Sequence, residues 1–463
     1  MFLDLDQKDK SSIAAVDDRG GLISYGELVA FSKKFSDAIG KRTLIFILSE
    51  NTIGSLAGYV AAISSRIVPL ILSSNIDREL LARLIEVYHP EFLWLPESLT
   101  CNFNYESIFH KYEFSLQKTG FSEFAMNEDL SLLLTTSGST GSPKLVRHSY
   151  SNLEQNARNV ATFFELNELE RPVAILPMQY TMGLSVVTSH LYAGSSILLM
   201  SSILTDTKFW KFIKEQKASS FTGVPYSYEV LHKLRFLRMD LPHLKLLTQG
   251  GGKLREELFR EFAEFAEKTG KKFIATYGQT EGTARMAYLP AEMATKKTGS
   301  IGGPIPNGQL SIIDSAGIEI HEMEATGQMI YKGPNVTLGY AYNAEDLIKG
   351  DENQGVLFTG DIARRDADGY YFIVGRMSRF LKLYGLRISL DESEQIIKST
   401  FNVDCVCSGN DEKMKVYIND GNKTAAVKSF LSEKTGLFYH AIEVIAVTEI
   451  PKNEFGKPFF KQV

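Results

Sequence analysis

Leu132-Leu-Leu-Thr-Thr-Ser-Gly-Ser-Thr-Gly-Ser-Pro-Lys-Leu145 runs from an apolar strand pattern into a loop dense in glycine, serine and threonine that ends on one lysine. Such a loop can aim several backbone N–H groups, hydroxyls and an ammonium at phosphate oxygens. On glycine and serine content alone it reads equally well as a polar surface loop. It is not a Walker A loop, which needs four residues between its glycines and Lys-Ser/Thr directly after the second. Here two residues separate Gly138 and Gly141, and Pro143 precedes Lys144. The strand that feeds the loop belongs to a wider pattern. Short apolar runs at 43–48, 172–176 and 196–200 read as buried strands, and stretches such as 25–39 and 254–268 carry helical spacing. This alternation predicts an α/β fold, with largely parallel sheets covered by helices.

The texture changes twice toward the C-terminus. From about Gly299, turn pairs such as Pro306-Asn307-Gly308 and Asp368-Gly369 separate brief alternating runs, which predicts a small antiparallel β unit. Residues 379–463 mix strand-like runs (415–418, 442–447) with helix-like ones (390–398, 424–434), the pattern of a small α+β domain.

Composition sets the outer bounds. The 463 residues suffice for two or more domains, and 44% hydrophobic with 23% charged residues is close to the globular average. Fifty Lys and Arg against 55 Asp and Glu leave a net charge of −5, too mild for nucleic acid or an anionic membrane as the main partner. Cys101, Cys405 and Cys407 are too few for a disulfide framework and fit a reducing compartment. With no secretory pattern at the N-terminus and no apolar run of spanning length, the expectation is a cytoplasmic protein without membrane insertion.

Four more motifs follow the glycine-rich loop in order: Tyr277-Gly278-Gln279-Thr280-Glu281; Phe358-Thr359-Gly360-Asp361; Gly375-Arg376 with Lys382-Leu-Tyr-Gly385-Leu-Arg387-Ile388; and Pro451-Lys452-Asn453-Glu454-Phe455-Gly456-Lys457. Together with Thr136-Ser137-Gly138-Ser139-Thr140-Gly141-Ser142-Pro143-Lys144, they resemble the signatures of the adenylate-forming superfamily of acyl-CoA synthetases, nonribosomal-peptide adenylation domains and firefly-type luciferases. The resemblance covers nearly the whole chain. It implies ATP-dependent activation of a carboxylic acid to an acyl-AMP, then transfer to a pantetheine thiol of CoA or of an acyl carrier protein.

By that resemblance Thr136, Ser137, Gly138, Thr140, Gly141 and Lys144 cradle the β- and γ-phosphates. Tyr277 is the aromatic that stacks on adenine, flanked by Gly278 and Gln279, and Thr280 is the hydroxyl on the α-phosphate. Glu281 is the Mg²⁺ ligand, a hard oxygen suited to a cation whose remaining shell is phosphate and water. Asp361 resembles the ribose-binding carboxylate and Arg376 the second ribose contact. Gly250, Gly251 and Gly252, between a strand and a helix, match the segment whose backbone borders adenine and the acyl pocket. Three glycines allow the close backbone approach this requires. A simple flexible turn is the alternative there. Lys457 matches the lysine that offsets charge at the carboxylate and α-phosphate, with Thr280 and Glu281 as the other catalytic positions.

The second half-reaction would use Lys382 and Gly385 to line a tunnel for the thiol, after the C-terminal domain rotates about a hinge. The hinge position normally holds Asp or Lys. Here it is Ser378, which puts the usual hinge electrostatics in doubt. The acyl pocket is assigned to Tyr180, Thr181, Gly183, Val224 and Gly250. Relatives that take α-amino acids place an Asp in the 179–183 segment, and this chain has none, so an amino acid substrate is disfavoured. A neutral lining of Met182, Leu184, Val224 and Gly250 suggests an apolar or aromatic acid.

Other chemistries lack their motifs. His321-Glu-Met-Glu-Ala325 misses the second histidine of a zinc-protease helix, Gly183-Leu-Ser185-Val-Val187 fails the hydrolase elbow, and no strand leads into G-x-G-x-x-G. The reading is therefore an AMP-binding domain over 1–376 and a mobile domain over 377–463 that carries Lys457, with the active site between them. An adenylating ligase with an amine or hydroxyl acceptor, and a non-catalytic nucleotide-binding relative, stand as alternatives.

Overall fold

The computed structural model describes residues 1–135, 144–314, 316–376, 380–410 and 412–450. It divides into two compact units, one of residues 1–135 and 145–374, the other running from residue 375.

In the larger unit the apolar runs become two wide sheets. The first has the order Gly303–Pro304, Ala287–Leu289, Lys272–Tyr277, Leu246–Gln249, Ser220–Gly223, Pro172–Ala174, Ile197–Leu199, Ile13–Asp17, Leu22–Ser24. Its six central strands, from Lys272–Tyr277 to Ile13–Asp17, pair in parallel, and antiparallel strands close both edges. The second sheet carries Leu130–Thr135, Val68–Ser73, Leu44–Ser49 and Phe92–Pro96 as a parallel centre. A four-stranded sheet built from Gln309–Ile313, Thr326–Lys332, Val356–Arg365 and Tyr371–Arg376 is the expected antiparallel unit.

Local chemistry sets the helix bounds. Ser24 and Glu27 form a reciprocal capping box at the start of Tyr25–Ile39, and Gly40 ends it with φ +77°. The helix Ile53–Ser64 is buried on every face from Ile53 to Ile63, which explains its uniformly apolar sequence. Among the described residues no helix is long and apolar enough to cross a membrane.

Arg147, on the strand Leu145–Ser149, is fully enclosed. Its guanidinium donates to the carbonyls of Leu338 (3.0 Å), Tyr340 (2.9 Å), Lys349 and Gly350, and pairs with Glu352. A buried charge is tolerable only with that many partners.

The smaller unit consists of the hairpin Phe380–Leu383 and Leu386–Ser389, the sheet Cys405–Gly409, Met414–Ile418, Ile442–Ala446, and the helices Leu390–Phe401 and Thr424–Thr435. Its own core includes Leu383, Ile388, Ile397, Val416, Val427 and Ile442.

Trp94 anchors the aromatic core of the larger unit. It is fully buried, donates from Nε1 to the Gly54 carbonyl at 2.8 Å, and packs against the helix at Gly58. A Cβ on Gly58 would stand 2.3 Å from the indole. Gly58→Ala gains about 1 kcal/mol in helix propensity, yet overpacking against a rigid ring costs about 1–3 kcal/mol. The expected outcome is a denaturation midpoint shifted down with an unchanged slope, followed by tryptophan fluorescence. A rise in midpoint would show that the indole yields.

Candidate active site

The expected site segments sit where neighbouring parallel strands end. Gly223, Gln249 and Ala275 are in register across three strands, so the residues that follow each strand emerge side by side. Val224 follows the first, Gly250–Gly252 the second, and Tyr277–Glu281 close the third. Tyr180 N-caps the helix Thr181–Ala193, which follows the strand Pro172–Ala174. Open α/β sheets bind ligands at this carboxyl edge, where strands give way to loops.

Tyr180, Val224 and Gly251 meet there. A Cβ on Gly251, which has φ +72°, would stand 2.3 Å from the Tyr180 hydroxyl oxygen and 3.2 Å from a Val224 methyl. Gly250 is pressed between Thr276 and Met182 in the same way. Gln249 folds back, donating from Nε2 to the Gly252 carbonyl at 2.7 Å, and so fixes the glycine loop. Gly183 and Gly278 are packing positions. A Cβ on Gly183 would meet the Pro177 carbonyl at 2.3 Å, and one on Gly278 would meet the Ala284 carbonyl at 1.4 Å.

A second group joins Tyr277, Gln279 and Asp361. The Tyr277 hydroxyl donates to Asp361 Oδ2 at 2.5 Å. Gln279 Nε2 reaches Asp361 Oδ2 at 3.0 Å, the Tyr277 hydroxyl at 3.2 Å and the Thr359 carbonyl at 2.8 Å. Asp361 arrives from a different sheet, on the strand Val356–Arg365. Gly360 beside it has φ +70°, and the pairing with Thr326–Lys332 slips there, so a local bulge aims the carboxylate.

Thr280 and Glu281 lie on the next turn, each held from several sides. Thr181 Oγ1 donates to Thr280 Oγ1 at 2.9 Å, and His148 Nε2 lies 3.2 Å from the Thr280 carbonyl. The Tyr340 hydroxyl donates to Glu281 Oε1 at 2.8 Å, and the Thr337 amide to the Glu281 carbonyl at 3.0 Å. Asn335 Nδ2 donates to the Gly282 carbonyl at 2.6 Å. His148, Asn335 and Tyr340 belong to none of the motifs. Their distance in sequence from Thr280 hides them from any local pattern.

A small cavity of about 10 Å³, room for one water, opens behind this turn, lined among others by Asn156, Thr181, Ser185, Thr188 and Ala284. Among the described residues no three His, Cys, Asp or Glu cluster as a metal cage. The single carboxylate of Glu281 instead suits Mg²⁺ carried largely by phosphates and water.

The strands Leu130–Thr135 and Leu145–Ser149 pair with Thr135 opposite Leu145, so the glycine-rich loop begins and ends side by side, with Lys144 at its closing foot. Thr136, Ser137, Gly138, Thr140 and Gly141 lie outside the described residues, as do the hinge residue Ser378 and the catalytic lysine candidate Lys457. The backbone of Arg376 ends the strand Tyr371–Arg376. In the smaller unit Lys382 faces Arg387 across the hairpin, and Tyr384 (φ +52°) with Gly385 (φ +83°) makes its two-residue turn.

A sequence profile of the family described as AMP-binding enzyme matches residues 6–341. The chain belongs to that family. The chain is 28% identical to an oxalate–CoA ligase of Arabidopsis thaliana over 345 residues, covering 71% of the chain and 66% of that protein. It is 30% identical to an indoleacetate–CoA ligase of Aromatoleum aromaticum over 268 residues, covering 58% and 51%. The chain thus spans between about half and two thirds of the length of these curated relatives. Its fold matches that of o-succinylbenzoate CoA synthetase from Bacillus subtilis with a TM-score of 0.81 at 20% identity, over 99% of this chain and 97% of that one. The helix-covered sheets and the small C-terminal unit are therefore shared with that structure.

Two buried histidines in this AMP-binding unit, His148 and His190, are pushed down to about 4 by burial. Unfolded, each takes up a proton near 6.5, so between about pH 6.5 and 4 the unfolded chain binds more protons and stability falls with pH. Each histidine contributes on the order of 3 kcal/mol to that loss. Denaturant midpoints measured from pH 7 to 4.5 should fall steadily. His190→Gln should flatten the slope, and an unchanged slope would show that the ring is already protonated or solvated in the fold.

Proposed function

We propose that this chain is an ATP-dependent acid–thiol ligase. It joins a carboxylic acid to AMP with release of pyrophosphate, then passes the acyl group to a pantetheine thiol with release of AMP. The observation that carries this reading is the convergence of Tyr277, Gln279 and Asp361 with the turn bearing Thr280 and Glu281 at one carboxyl sheet edge. Family membership and the CoA-ligase names of the relatives support it.

In the first half-reaction a carboxylate oxygen attacks the α-phosphorus, and the α–β bridging oxygen leaves with pyrophosphate. Two anions must approach, so the site has to neutralise charge before they meet. Lys144 and the hydroxyls of Thr136, Ser137 and Thr140 hold the outgoing phosphates. Tyr277 packs on adenine, while Asp361 accepts from the ribose hydroxyls and Arg376 donates to the ribose. The hydrogen bond between Tyr277 and Asp361 aligns ring and carboxylate before ATP arrives, which lowers the ordering cost of binding. Thr280 donates to the α-phosphate, its rotamer set by Thr181. Glu281, oriented by Tyr340, would hold Mg²⁺, which supplies charge neutralisation at the phosphates when bound. Lys457 offsets the charge that builds at the attacked phosphorus.

In the second half-reaction the thiol sulfur attacks the acyl carbon, its proton leaves to solvent, and AMP departs. Lys382 and Gly385 border the entry of the thiol arm. CoA and a carrier-bound phosphopantetheine share that chemistry.

Acid-dependent exchange of labelled pyrophosphate into ATP tests the first step, across fatty, aryl, hydroxy and amino acids. Exchange with one class establishes adenylation, and silence across the panel with ATP still bound would overturn it. Lys457→Ala should lower exchange by about 10²- to 10³-fold while sparing thioester formation from supplied acyl-AMP. Equal loss of both steps would remove that residue from the first one alone.

A further inference from the structure

His148 belongs to none of the motifs, sits on the strand Leu145–Ser149 directly after Lys144, and is 0% exposed. Leu132, Leu134, Leu153 and Leu184 line the same small cavity, so an apolar side chain would pack there without desolvating a polar ring. Burial lowers the imidazole to about 4, which keeps it neutral at pH 7. A neutral imidazole carries one N–H, on one nitrogen or the other. Nδ1 meets no hydrogen-bond partner among the described residues, and the carbonyls of Val146 and Leu132 near the ring do not bond it. Nε2 lies 3.2 Å from the Thr280 carbonyl, which can only accept. The single proton therefore belongs on Nε2, directed at the backbone of the turn that carries Thr280 and Glu281.

The strand at the other end of this hydrogen bond matters. Leu145–Ser149 pairs on one side with Leu130–Thr135, with Thr135 opposite Leu145 where the glycine-rich loop opens and closes. On its other side it pairs with Gly339–Ala341. The Glu281 carbonyl takes the Thr337 amide at 3.0 Å, and the next amide, Leu338, bonds the Arg147 carbonyl at 2.9 Å. Two successive carbonyls of the turn are thus tied to this one strand, Thr280 directly and Glu281 through one peptide. Thr280 Oγ1 already accepts from Thr181, which leaves its own proton for a ligand. In the proposed reaction that hydroxyl meets the α-phosphate while the loop ending at Lys144 holds the β- and γ-phosphates. Both must be placed at once, because a misplacement of about 1 Å costs up to about 10²-fold in rate.

We propose that His148 is a positioning residue for adenylation: through the Thr280 carbonyl it fixes the Thr280 hydroxyl relative to the strand that closes the glycine-rich loop. It acts through the turn and contacts neither nucleotide nor acid. This rests on the reading that the chain adenylates a carboxylic acid.

A double-mutant cycle on acid-dependent pyrophosphate exchange tests the role. His148→Leu is of similar volume and removes the donor, so kcat should fall about 10-fold, the scale of one lost hydrogen bond, with KM for the acid unchanged. His148→Gln, whose Nε2 can reach the same carbonyl, should restore most of the rate. Combined with Thr280→Val, His148→Leu should add no further loss, since it acts through the hydroxyl already removed. A merely structural defect would multiply with the Thr280→Val loss, and that outcome overturns the proposal. Nitrogen NMR of the histidine-labelled wild-type protein needs no variant to fold. The His148 ring should be neutral and protonated on Nε2, and a proton on Nδ1 instead would remove the hydrogen bond and the proposal with it. Silent exchange with every acid in the wild-type protein would overturn adenylation itself and this role together. Active exchange that is indifferent to His148→Leu would overturn only the role of His148.

Discussion

Residues 280–285 make one short 3₁₀ turn, Thr280–Gly282, and join no strand; their amides bond within the turn, while the carbonyls of Thr280, Glu281, Gly282 and Arg285 take partners from elsewhere in the fold. Two non-glycine residues in succession, Thr283 (φ +48°) and Ala284 (φ +75°), hold left-handed conformations that cost about 1–3 kcal/mol each. The surroundings supply what the turn lacks. His148 and Thr181 reach Thr280, Thr337 and Tyr340 reach Glu281, and Asn335 reaches the carbonyls of Gly282 and Arg285. Thr283 in turn donates to the Asn335 carbonyl at 2.7 Å. Asn335 is itself fixed by the Tyr331 hydroxyl at 2.8 Å. The turn therefore cannot relax without loosening a strand, a helix and the small antiparallel sheet together.

That constraint explains how Glu281 and Asp361 can stand close in function while arising from different sheets. The parallel strands end in register and present Val224, the glycine loop and Tyr277 as one row. The antiparallel unit brings Asp361 in from the side, its direction set by the bulge at Gly360. A carboxylate that is 1% exposed and already hydrogen-bonded to Tyr277 and Gln279 keeps its position without a ligand. Such preorganisation is worth more to a site that must align two anions than an extra contact would be.

Much of this architecture is legible in the chain itself. Helical spacing places Tyr25–Ile39 at its observed bounds, because Ser24, Glu27 and Gly40 punctuate it locally. The apolar runs at 172–176 and 196–200 become shorter strands, since their ends bend into loops that no periodicity records. Tyr277, Gln279, Thr280 and Glu281 come together because they share one short segment at the end of a strand. The pocket is different. Gly183 and Gly278 look like ligand-facing glycines, yet their missing side chains make room for neighbouring carbonyls. His148, Tyr340 and Arg285 act through partners distant in sequence, and only the tertiary fold brings such pairs together.

The saturation of Arg147 also says how little of the chain can stand alone. The family match ends at residue 341, whereas Lys349, Gly350 and Glu352, which satisfy this enclosed cation, come after it. A fragment trimmed to the matching region would keep the guanidinium in the interior and discard Glu352, the carboxylate it pairs with, a defect worth about 3–5 kcal/mol. The evolutionary unit and the physical unit of this domain are therefore different lengths, and the segment past 341 belongs to its foundation rather than to a tail.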